Sequence, residues 1–510
     1  MKKYILAFLL FTALMLSACY ENSDSNDYYQ SGIDNVSIPN QRNYDEDDID
    51  LGQNIEYLSK EAVSFDIKYV SASPWQTLVI TDDGGLWSWG GNVWIDGNPL
   101  PQRILDNVIY AVSGQHNSIA ITSDGSLWSW GGAEPIPEWE WVNFIGDGTV
   151  ENRIYPVKIM EDVVYATIAP MLSNSHMGHS IRSFAITHDH VLWGWGQNGE
   201  SYADMHGFLG DGTTINRHAP VRILDDVVSI IPSYSGGYAL TSDGTVWLWG
   251  HGSHERDWGD FTEPPIWLYV ETTPVPIMDN VKKIIDGYMA ITNDNVLWSF
   301  ENADLRFIRE DVLYATSIDG GNFFIDSNNI LWGYGENHWI DNWMLSDYGQ
   351  VFPQQWNWGS PLGNGTIEGS PEPVQIMENV AAIKDTAGAV FVITLDDELW
   401  GWGSNTIGQV GNGTTWGPWE WYPNVDHEDR EWRAVHGPTL SPELILENVK
   451  MVSADFHIDH GWISHINIFV VTNSGELFAW GGGGFNAEYA LGDGIEDRRY
   501  TPTLINIKID

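Results

Sequence analysis

The sequence has very little cysteine and few basic residues. Cys19 is the only cysteine in 510 residues, which excludes an intramolecular disulfide framework. The 23 Lys and Arg residues stand against 70 Asp and Glu, and the formal net charge is −47. Because proteins bind nucleic acids largely by neutralising phosphates with Lys and Arg, this balance disfavours a nucleic-acid partner.

The sequence also lacks the local motifs of common enzymes. It contains no nucleophile elbow, no His-Glu-x-x-His pair, no phosphate-binding loop and no Rossmann glycine pattern. His176 and His179 share one segment, and His457, His460 and His465 share another, but no further fixed ligand accompanies them. We therefore expect neither a metal site nor a cofactor. An active site assembled from several repeats leaves no local motif, so an enzyme stays an alternative to a binding protein.

The N-terminus has the pattern of an export signal. Two lysines precede an apolar run at 4–15, which is too short for a transmembrane helix of roughly 20 residues. LSAC follows at 16–19 and resembles the lipobox of bacterial lipoprotein signals. This resemblance implies that residues 1–18 are removed and that Cys19 carries the lipid. An ordinary signal peptide with a chance cysteine is the alternative, which the position of the single cysteine disfavours.

An acidic segment separates this signal from the repeats. Residues 45–50 contain five acids, and the surrounding stretch is polar with little apolar content. Such a segment cannot bury enough surface to offset its ordering entropy. We predict a disordered tether at 19–60 and one folded domain at 61–510. The protein is then expected to be exported and lipid-anchored to the bacterial cell membrane, outside the cytoplasm, with the type of membrane left open.

The folded part is built around one short motif that occurs eight times. The copies share a leucine or valine, aromatic residues and, in all but one, a final glycine, and they begin at residues 86, 127, 192, 246, 297, 331, 399 and 477. A motif that recurs at variable spacing indicates one supersecondary unit that is repeated along the chain, with insertions of different length in its loops. The tryptophans recur in nearly every copy, so we expect them to be core residues.

Each unit predicts four short strands. The aromatic motif favours a strand, and before it stands a second apolar run that ends in a turn, as in SIAITSDG at 118–125. The glycine accepts the positive φ that tight hairpins require. A proline-headed run follows, as in PVKIM at 156–160, and a two-residue link leads to a fourth run, VVYATI at 163–168. No helical periodicity interrupts this order.

These units resemble the repeats of the regulator of chromosome condensation (RCC1) family. The resemblance rests on the hairpin, the Trp-Gly ending and a downstream Gly-Asp-Gly-Thr turn, as in LWGWGSNTIGQVGNGT at 399–414. It implies an all-β fold, a β-propeller of four-stranded blades, usually seven in that family. Eight units favour eight blades here, with seven as the alternative. The fifth unit, 297–317, is short and lacks both the motif glycine and the Gly-Asp-Gly-Thr turn.

The ends of the array suggest how the ring closes. The first unit begins with a fourth-type run near 67–71, and the last ends with a proline-headed run at 502–507. Since a two-residue link joins these run types elsewhere, we predict that the terminal strands pair with each other and close the ring.

If successive strands are antiparallel, alternate connections fall on opposite faces of the propeller. Tight turns and two-residue links fall on one face, and the long insertions fall on the other. The insertions carry the candidate ligand-binding residues, which are aromatic: Trp139, Trp141, Trp339, Trp343, Trp356, Trp358, Trp416, Trp419, Trp421 and Tyr422. Such rings anchor protein interfaces and stack on sugars, but they can equally pack together to order long loops.

We expect a monomeric cell-surface scaffold that binds an extracellular protein or polysaccharide through these loops. The RCC1-like resemblance implies two activities known in that family, nucleotide exchange on a small GTPase and inhibition of a secreted β-lactamase. Export excludes the first, and no residue matches an inhibitor motif for the second. The alternatives are an inhibitor of a secreted enzyme and a propeller lyase or hydrolase acting on cell-wall polysaccharide.

Overall fold

The structure is a computed structural model. It describes residues 66–505 apart from 74–75, 91–97, 115, 133–143, 170–181, 200–206, 234–235, 251–270, 286–288, 301–304, 319–320, 336–361, 367, 387, 406–407, 415–438, 460–461, 482–490 and 492–498. The described residues form 32 strands and no helix. The predicted signal peptide and tether lie outside them.

The strands form eight four-stranded antiparallel sheets, or blades, each made from one continuous stretch of chain. Blades 1 to 4 comprise β1 (Ile67–Ala72), β2 (Gln76–Thr81), β3 (Leu86–Gly90) and β4 (Asn98–Leu105); β5 (Val108–Ser113), β6 (Asn117–Thr122), β7 (Leu127–Gly131) and β8 (Arg153–Met160); β9 (Val163–Ile168), β10 (Arg182–Thr187), β11 (Leu192–Gly196) and β12 (Arg217–Leu224); β13 (Val227–Ser233), β14 (Gly236–Thr241), β15 (Val246–Gly250) and β16 (Glu271–Met278). Blades 5 to 8 comprise β17 (Val281–Ile285), β18 (Met289–Thr292), β19 (Leu297–Ser299) and β20 (Arg306–Arg309); β21 (Val312–Ile318), β22 (Gly321–Asp326), β23 (Leu331–Gly335) and β24 (Ser370–Met377); β25 (Val380–Thr386), β26 (Ala389–Thr394), β27 (Leu399–Gly403) and β28 (Thr439–Leu446); β29 (Val449–Asp459), β30 (Trp462–Thr472), β31 (Leu477–Gly481) and β32 (Arg499–Ile505).

The blades form a closed β-propeller, so the prediction of eight blades is confirmed. First strands of neighbouring blades contact each other and lie towards the centre, whereas the fourth strands are largely exposed at the rim. Blade 8 contacts blade 1: the Ile67 backbone N–H donates to the Gly475 carbonyl at 3.0 Å, and Phe469 and Leu477 share a core cluster with Val70. Blade 5 is short, as its sequence predicts.

The structure corrects one detail of ring closure. The terminal strands do not pair: β1 pairs with β2, and β32 pairs with β31. The reason lies in the two-residue links, which pass the chain to the next blade. Asn107 in the first link has φ 59°, and the Val108 N–H then donates to the Gly84 carbonyl of the preceding blade at 2.8 Å. Every blade is therefore contiguous, and side-chain packing joins the two ends of the ring.

Candidate binding faces of the ring

One face, here called the turn face, carries the hairpin turns and the two-residue links. The Ser123 N–H in the second turn donates to the Asn107 carbonyl in a link at 2.8 Å, and the Val163 N–H after the next link donates to the Gly125 carbonyl at 2.9 Å. These repeated bonds tie each turn to the links on both sides of it. The predicted grouping of turns and links is thus confirmed.

The turns are held by a hydroxyl–carboxylate contact that recurs in blades 1 to 4. The Thr122 hydroxyl donates to the Asp124 carboxylate at 2.6 Å and lowers the pKa of that carboxyl to about 2. In blade 1 the Thr81 hydroxyl and the Arg103 guanidinium together lower the pKa of Asp83 to about 2. The turn face is therefore an ordered surface with ionised carboxylates.

The opposite face, here called the insertion face, is where the long connections begin. The Gly132 N–H, just after β7, donates to the His116 carbonyl between β5 and β6 at 2.7 Å, so both types of connection share this face. In blade 8 the connection on this face is short, because β29 and β30 continue as paired strands to Asp459 and from Trp462.

The predicted ligand-binding aromatics lie outside the described residues. All ten fall in the connections 133–143, 336–361 and 415–438, each of which joins a third strand to a fourth strand. Cys19 and the histidines of the first predicted pair also lie outside the described part of the chain. The structure places the ends of these connections on the insertion face and leaves the role of the aromatics as a prediction.

A repeated contact between neighbouring blades, here called the latch, supports the insertion face. The first glycine of a Gly-Asp-Gly-Thr-type turn lies against the last tryptophan of the next blade's motif. A Cβ built on Gly146 would lie 2.7 Å from Trp195 Nε1, and one on Gly210 would lie 2.8 Å from the Trp249 ring. Trp249 Nε1 donates to the Phe208 carbonyl at 3.0 Å. The same contact recurs for blades 6 to 7 and 7 to 8.

The last tryptophan of the motif, which the latch contacts, is also more deeply buried than the first in most blades. The last tryptophan is fully buried in several blades, at 0% exposure for Trp195 and Trp249, whereas the first is half-buried in most. Blades 5 and 6 carry Phe300 and Tyr334 at this position. The described part of each preceding blade has no Gly-Asp-Gly-Thr turn, so these two rings do not form the latch contact there.

Polar side chains fix the shape of the latch turns. In blade 3, Asn198 is fully buried, and its Nδ2 donates to the Asp211 carboxylate at 3.0 Å while its Oδ1 accepts from the Leu209 N–H at 2.8 Å. Burial alone would raise the pKa of Asp211, but the Thr213 hydroxyl and the Arg217 guanidinium outweigh it and lower this pKa. The turn is thus a preorganised base for the connections that surround it.

Buried polar groups also line the inner strands near the insertion face. The Ser113 hydroxyl donates to the Ser73 hydroxyl at 2.8 Å, and the Ser118 hydroxyl donates to Gln76 Oε1 at 2.5 Å, which joins blades 1 and 2. Arg182 is fully buried; its Nη2 donates to the Ser233 carbonyl at 3.0 Å. The sequence analysis missed these residues, although an arginine at a strand start is a visible exception among the repeats.

Three tyrosines form a further inner feature. Tyr69, Tyr110 and Tyr165 occupy the third position of the first strands of blades 1 to 3, with ring centroids 6.1 and 5.9 Å apart. Burial raises the pKa of Tyr69 well above its usual range. Tyr110 belongs to a hydrophobic core cluster, and Tyr69 and Tyr165 pack against such clusters, so the three rings join neighbouring blades through the core.

The described residues show neither a metal-binding cluster nor a membrane-spanning helix. They contain no group of three or more His, Cys, Asp or Glu side chains that could hold a metal ion. Within the same residues, no helix has the length and apolar character needed to cross a membrane.

The chain is similar in sequence or in structure to several known proteins. No protein-family model matches the chain. The ultraviolet-B receptor UVR8 of Arabidopsis thaliana is 26% identical over 202 residues, which cover 37% of this chain and 42% of that protein, so the match spans less than half of the relative. The chain is also similar to yeast RCC1 (Prp20) bound to Kap60, with TM-score 0.46, 17% identity, and 89% of this chain and 90% of that chain covered. Prp20p from Saccharomyces cerevisiae gives TM-score 0.47, 18% identity, and coverage of 86% and 87%. The RCC1-like character of the chain is supported at the level of the propeller fold, which the strand order itself establishes.

Proposed function

We propose that the protein is an exported, lipid-anchored scaffold that acts as a monomer and binds an extracellular protein or polysaccharide through its insertion face. One observation carries this proposal: the long connections of the ring begin and end on one face, whereas the described residues of the other face form only tight turns and links. A rigid scaffold that presents elaborated connections on one side is a common arrangement of binding proteins.

The base of the insertion face favours recognition by preorganised connections. The latch turns are fixed by buried hydrogen bonds, such as those of Asn198, and each presses on a buried tryptophan of the next blade. Connections that start from fixed points lose less conformational entropy when they bind. The aromatic residues of these connections then supply anchor side chains of the type found in interface hot spots.

The point at which the chain enters the ring also leaves the insertion face free for a partner. The first described residue, Asp66, lies at the turn face, where its carbonyl accepts from the Asp82 N–H at 2.9 Å. A tether that joins there, from a lipid on Cys19, attaches the ring to the membrane by its turn face. The attachment then leaves the insertion face unobstructed for soluble proteins and polysaccharides.

Capture from surface extracts tests the proposal. The full chain is immobilised and compared with a Trp419→Ala, Trp421→Ala variant and with a Tyr155→Ala control, which removes an aromatic that is 69% exposed at the rim. We expect the double variant to bind the captured partner at least about thirtyfold more weakly, since hot-spot truncation typically costs about 2 kcal/mol or more.

The control should bind like the unsubstituted chain. Equal binding by all three proteins would refute a role for these aromatics. Breakdown of a cell-wall polysaccharide during capture would show that the protein is a lyase or hydrolase. Inhibition of a secreted enzyme by the chain would show that it is an inhibitor.

A further inference from the structure

The first strand of every blade begins with a β-bulge at the same place. In blade 2, Val108 pairs with Thr122 of the second strand. Tyr110 pairs with Ile121, the neighbour of Thr122, so Ile109 is an extra residue without a partner in the ladder. The register shifts in the same way in the first strands of the other seven blades. Because a bulge re-aims its extra side chain, the eight blades present eight such side chains at equivalent positions.

The eight extra residues, here called the bulge ring, surround the axis on the turn face. They lie at the turn-face ends of the innermost strands, and six of them are exposed and two half-buried. They comprise three lysines and five aliphatic residues: Lys68, Ile109, Val164, Val228, Lys282, Leu313, Ala381 and Lys450. None of the eight is an acid, although the chain has 70 acidic and only 23 basic residues.

The bulge ring is an apolar patch inside an acidic surface. Each of the seven two-residue links beside it contains at least one Asp or Glu, and the hairpin turns add further carboxylates. The aliphatic residues form one arc in blades 2 to 4 and another in blades 6 and 7. In these arcs Ile109 is 56% exposed and Leu313 is 45% exposed. An exposed apolar patch rimmed by charged groups is typical of a contact surface.

The chain enters the propeller beside the bulge ring. The Asp66 carbonyl accepts a hydrogen bond from the Asp82 N–H of blade 1, and the Ile67 N–H donates to the Gly475 carbonyl of blade 8. The entry point is therefore fixed between two blades, two positions before the first residue of the bulge ring. Residues 51–65 lie outside the described residues and directly precede this point. The fixed attachment gives this segment a high effective concentration at the bulge ring.

The sequence of this segment, LGQNIEYLSKEAVSF, has the pattern of a short amphipathic helix. Apolar residues recur at steps of four and three, which places them along one side of a helix: Leu51, Ile55, Leu58, Ala62 and Phe65. Asp50 and Gln53 have the spacing of a capping box at its start. A helix over 51–65 would be about 22 Å long, which is enough to pass several neighbouring first strands.

We propose that residues 51–65 form an amphipathic helix whose apolar side docks on the bulge ring. The helix covers the aliphatic arc of blades 2 to 4, and its Glu56 and Glu61 meet a part of the turn face that has lysines and no acids. The tether is then limited to 19–50, and it joins a folded base rather than a single strand. The contact lies on the turn face and is independent of the proposed partner site on the insertion face.

Hydrogen–deuterium exchange on the full chain tests the proposal. Exchange at 55–64 is compared with exchange in a synthetic peptide of residues 45–65. We expect it to be at least about tenfold slower in the chain, because a docked helix opens less often than a free one. Two double variants should remove this protection, one in the helix (Ile55→Asp, Leu58→Asp) and one in the bulge ring (Ile109→Asp, Val164→Asp).

Matched controls place the same charges elsewhere. Gln53→Asp with Ser64→Asp adds two acids on the opposite side of the helix. Ile154→Asp with Ile215→Asp changes two isoleucines that are 57% and 60% exposed and lie outside the bulge ring. Both controls should keep the protection. Exchange in the buried strand β6 should be the same in every variant, which separates loss of docking from unfolding.

Three results would overturn the proposal. The first is exchange at 55–64 that is as fast in the chain as in the peptide. The second is protection that persists in the bulge-ring variant, because the segment would then dock elsewhere. The third is protection that appears only as the chain dimerises with rising concentration in sedimentation velocity, because the bulge ring would then contact a second copy.

Discussion

The latch between blades predicts that two neighbouring glycines tolerate alanine very differently. Gly146 and Gly148 belong to the same turn and both have positive φ, +100° and +83°. A Cβ on Gly146 would lie 2.7 Å from Trp195 Nε1, whereas a Cβ on Gly148 would meet nothing within 4 Å. Gly148→Ala therefore isolates the backbone cost, and Gly146→Ala adds the clash.

The expected free energies follow from these distances. Positive φ costs an alanine about 1–2 kcal/mol, of which about 0.4–1 is offset by the lower entropy of the unfolded chain. Overpacking against a fully buried indole adds about 1–3 kcal/mol, because close packing leaves the ring no room to move away. Unfolding entropy of roughly 2.1 cal/mol/K per residue over about 440 residues makes 1 kcal/mol correspond to about 1 °C in Tm.

Differential scanning calorimetry on both variants makes the comparison. Gly148→Ala should lower Tm by about 1 °C and Gly146→Ala by about 2–4 °C. In a Trp195→Leu background the difference between the two variants should largely disappear, since the clash has lost its partner. If Gly146→Ala proves no worse than Gly148→Ala with Trp195 present, the latch does not join the blades as described.

Three further predictions concern packing, pH and anchoring. Trp249→Ala should lower the free energy of unfolding by about 3–5 kcal/mol, because burial is lost and a cavity remains. Trp247 is only half-buried, so Trp247→Ala should cost less than half as much, and urea unfolding of both variants measures the difference. Because the pKa of Asp124 is lowered to about 2 in the folded protein, its ionised carboxylate stabilises the fold fully above pH about 3.9, the pKa of an unfolded aspartate, and this stabilisation is lost as the pH falls towards about 2. Thr122→Val removes the hydroxyl donor and should raise the pKa of Asp124 towards about 3.9 in an NMR titration. Cys19→Ala should release the protein from membranes, because a thioether-linked lipid needs the sulfur, and unchanged retention on fractionation would contradict the anchor.

Much of the fold could be predicted because its signals are local. A hairpin turn such as 123–126 needs positive φ at a fixed place, which Gly125 supplies there and His190 or Asn295 supplies in other blades. Aromatic and β-branched residues favour strands wherever they recur. The eight copies of the motif therefore predict the number of blades, and the alternating direction of successive strands predicts which connections share a face. The long insertions did not disturb either count, because they fall between strands.

The contacts between blades could not be predicted in the same way. Two-residue links look like hairpins in sequence, but the bond from Val108 to Gly84 shows that they connect blades. The buried ring of Trp195 packs against a turn from the preceding blade. The polar burial of Arg182 likewise depends on Ser233 of blade 4. Such contacts depend on ring geometry, which no local pattern specifies.

The most direct test of the proposed function is hydrogen–deuterium exchange on the full chain, with and without the partner recovered by capture. Partner binding should slow exchange in the connections 251–270, 336–361 and 415–438 and leave the turns 123–126 and 242–245 unchanged. Protection of those turns, with the three connections unaffected, would show that the partner binds the turn face and would contradict the proposal.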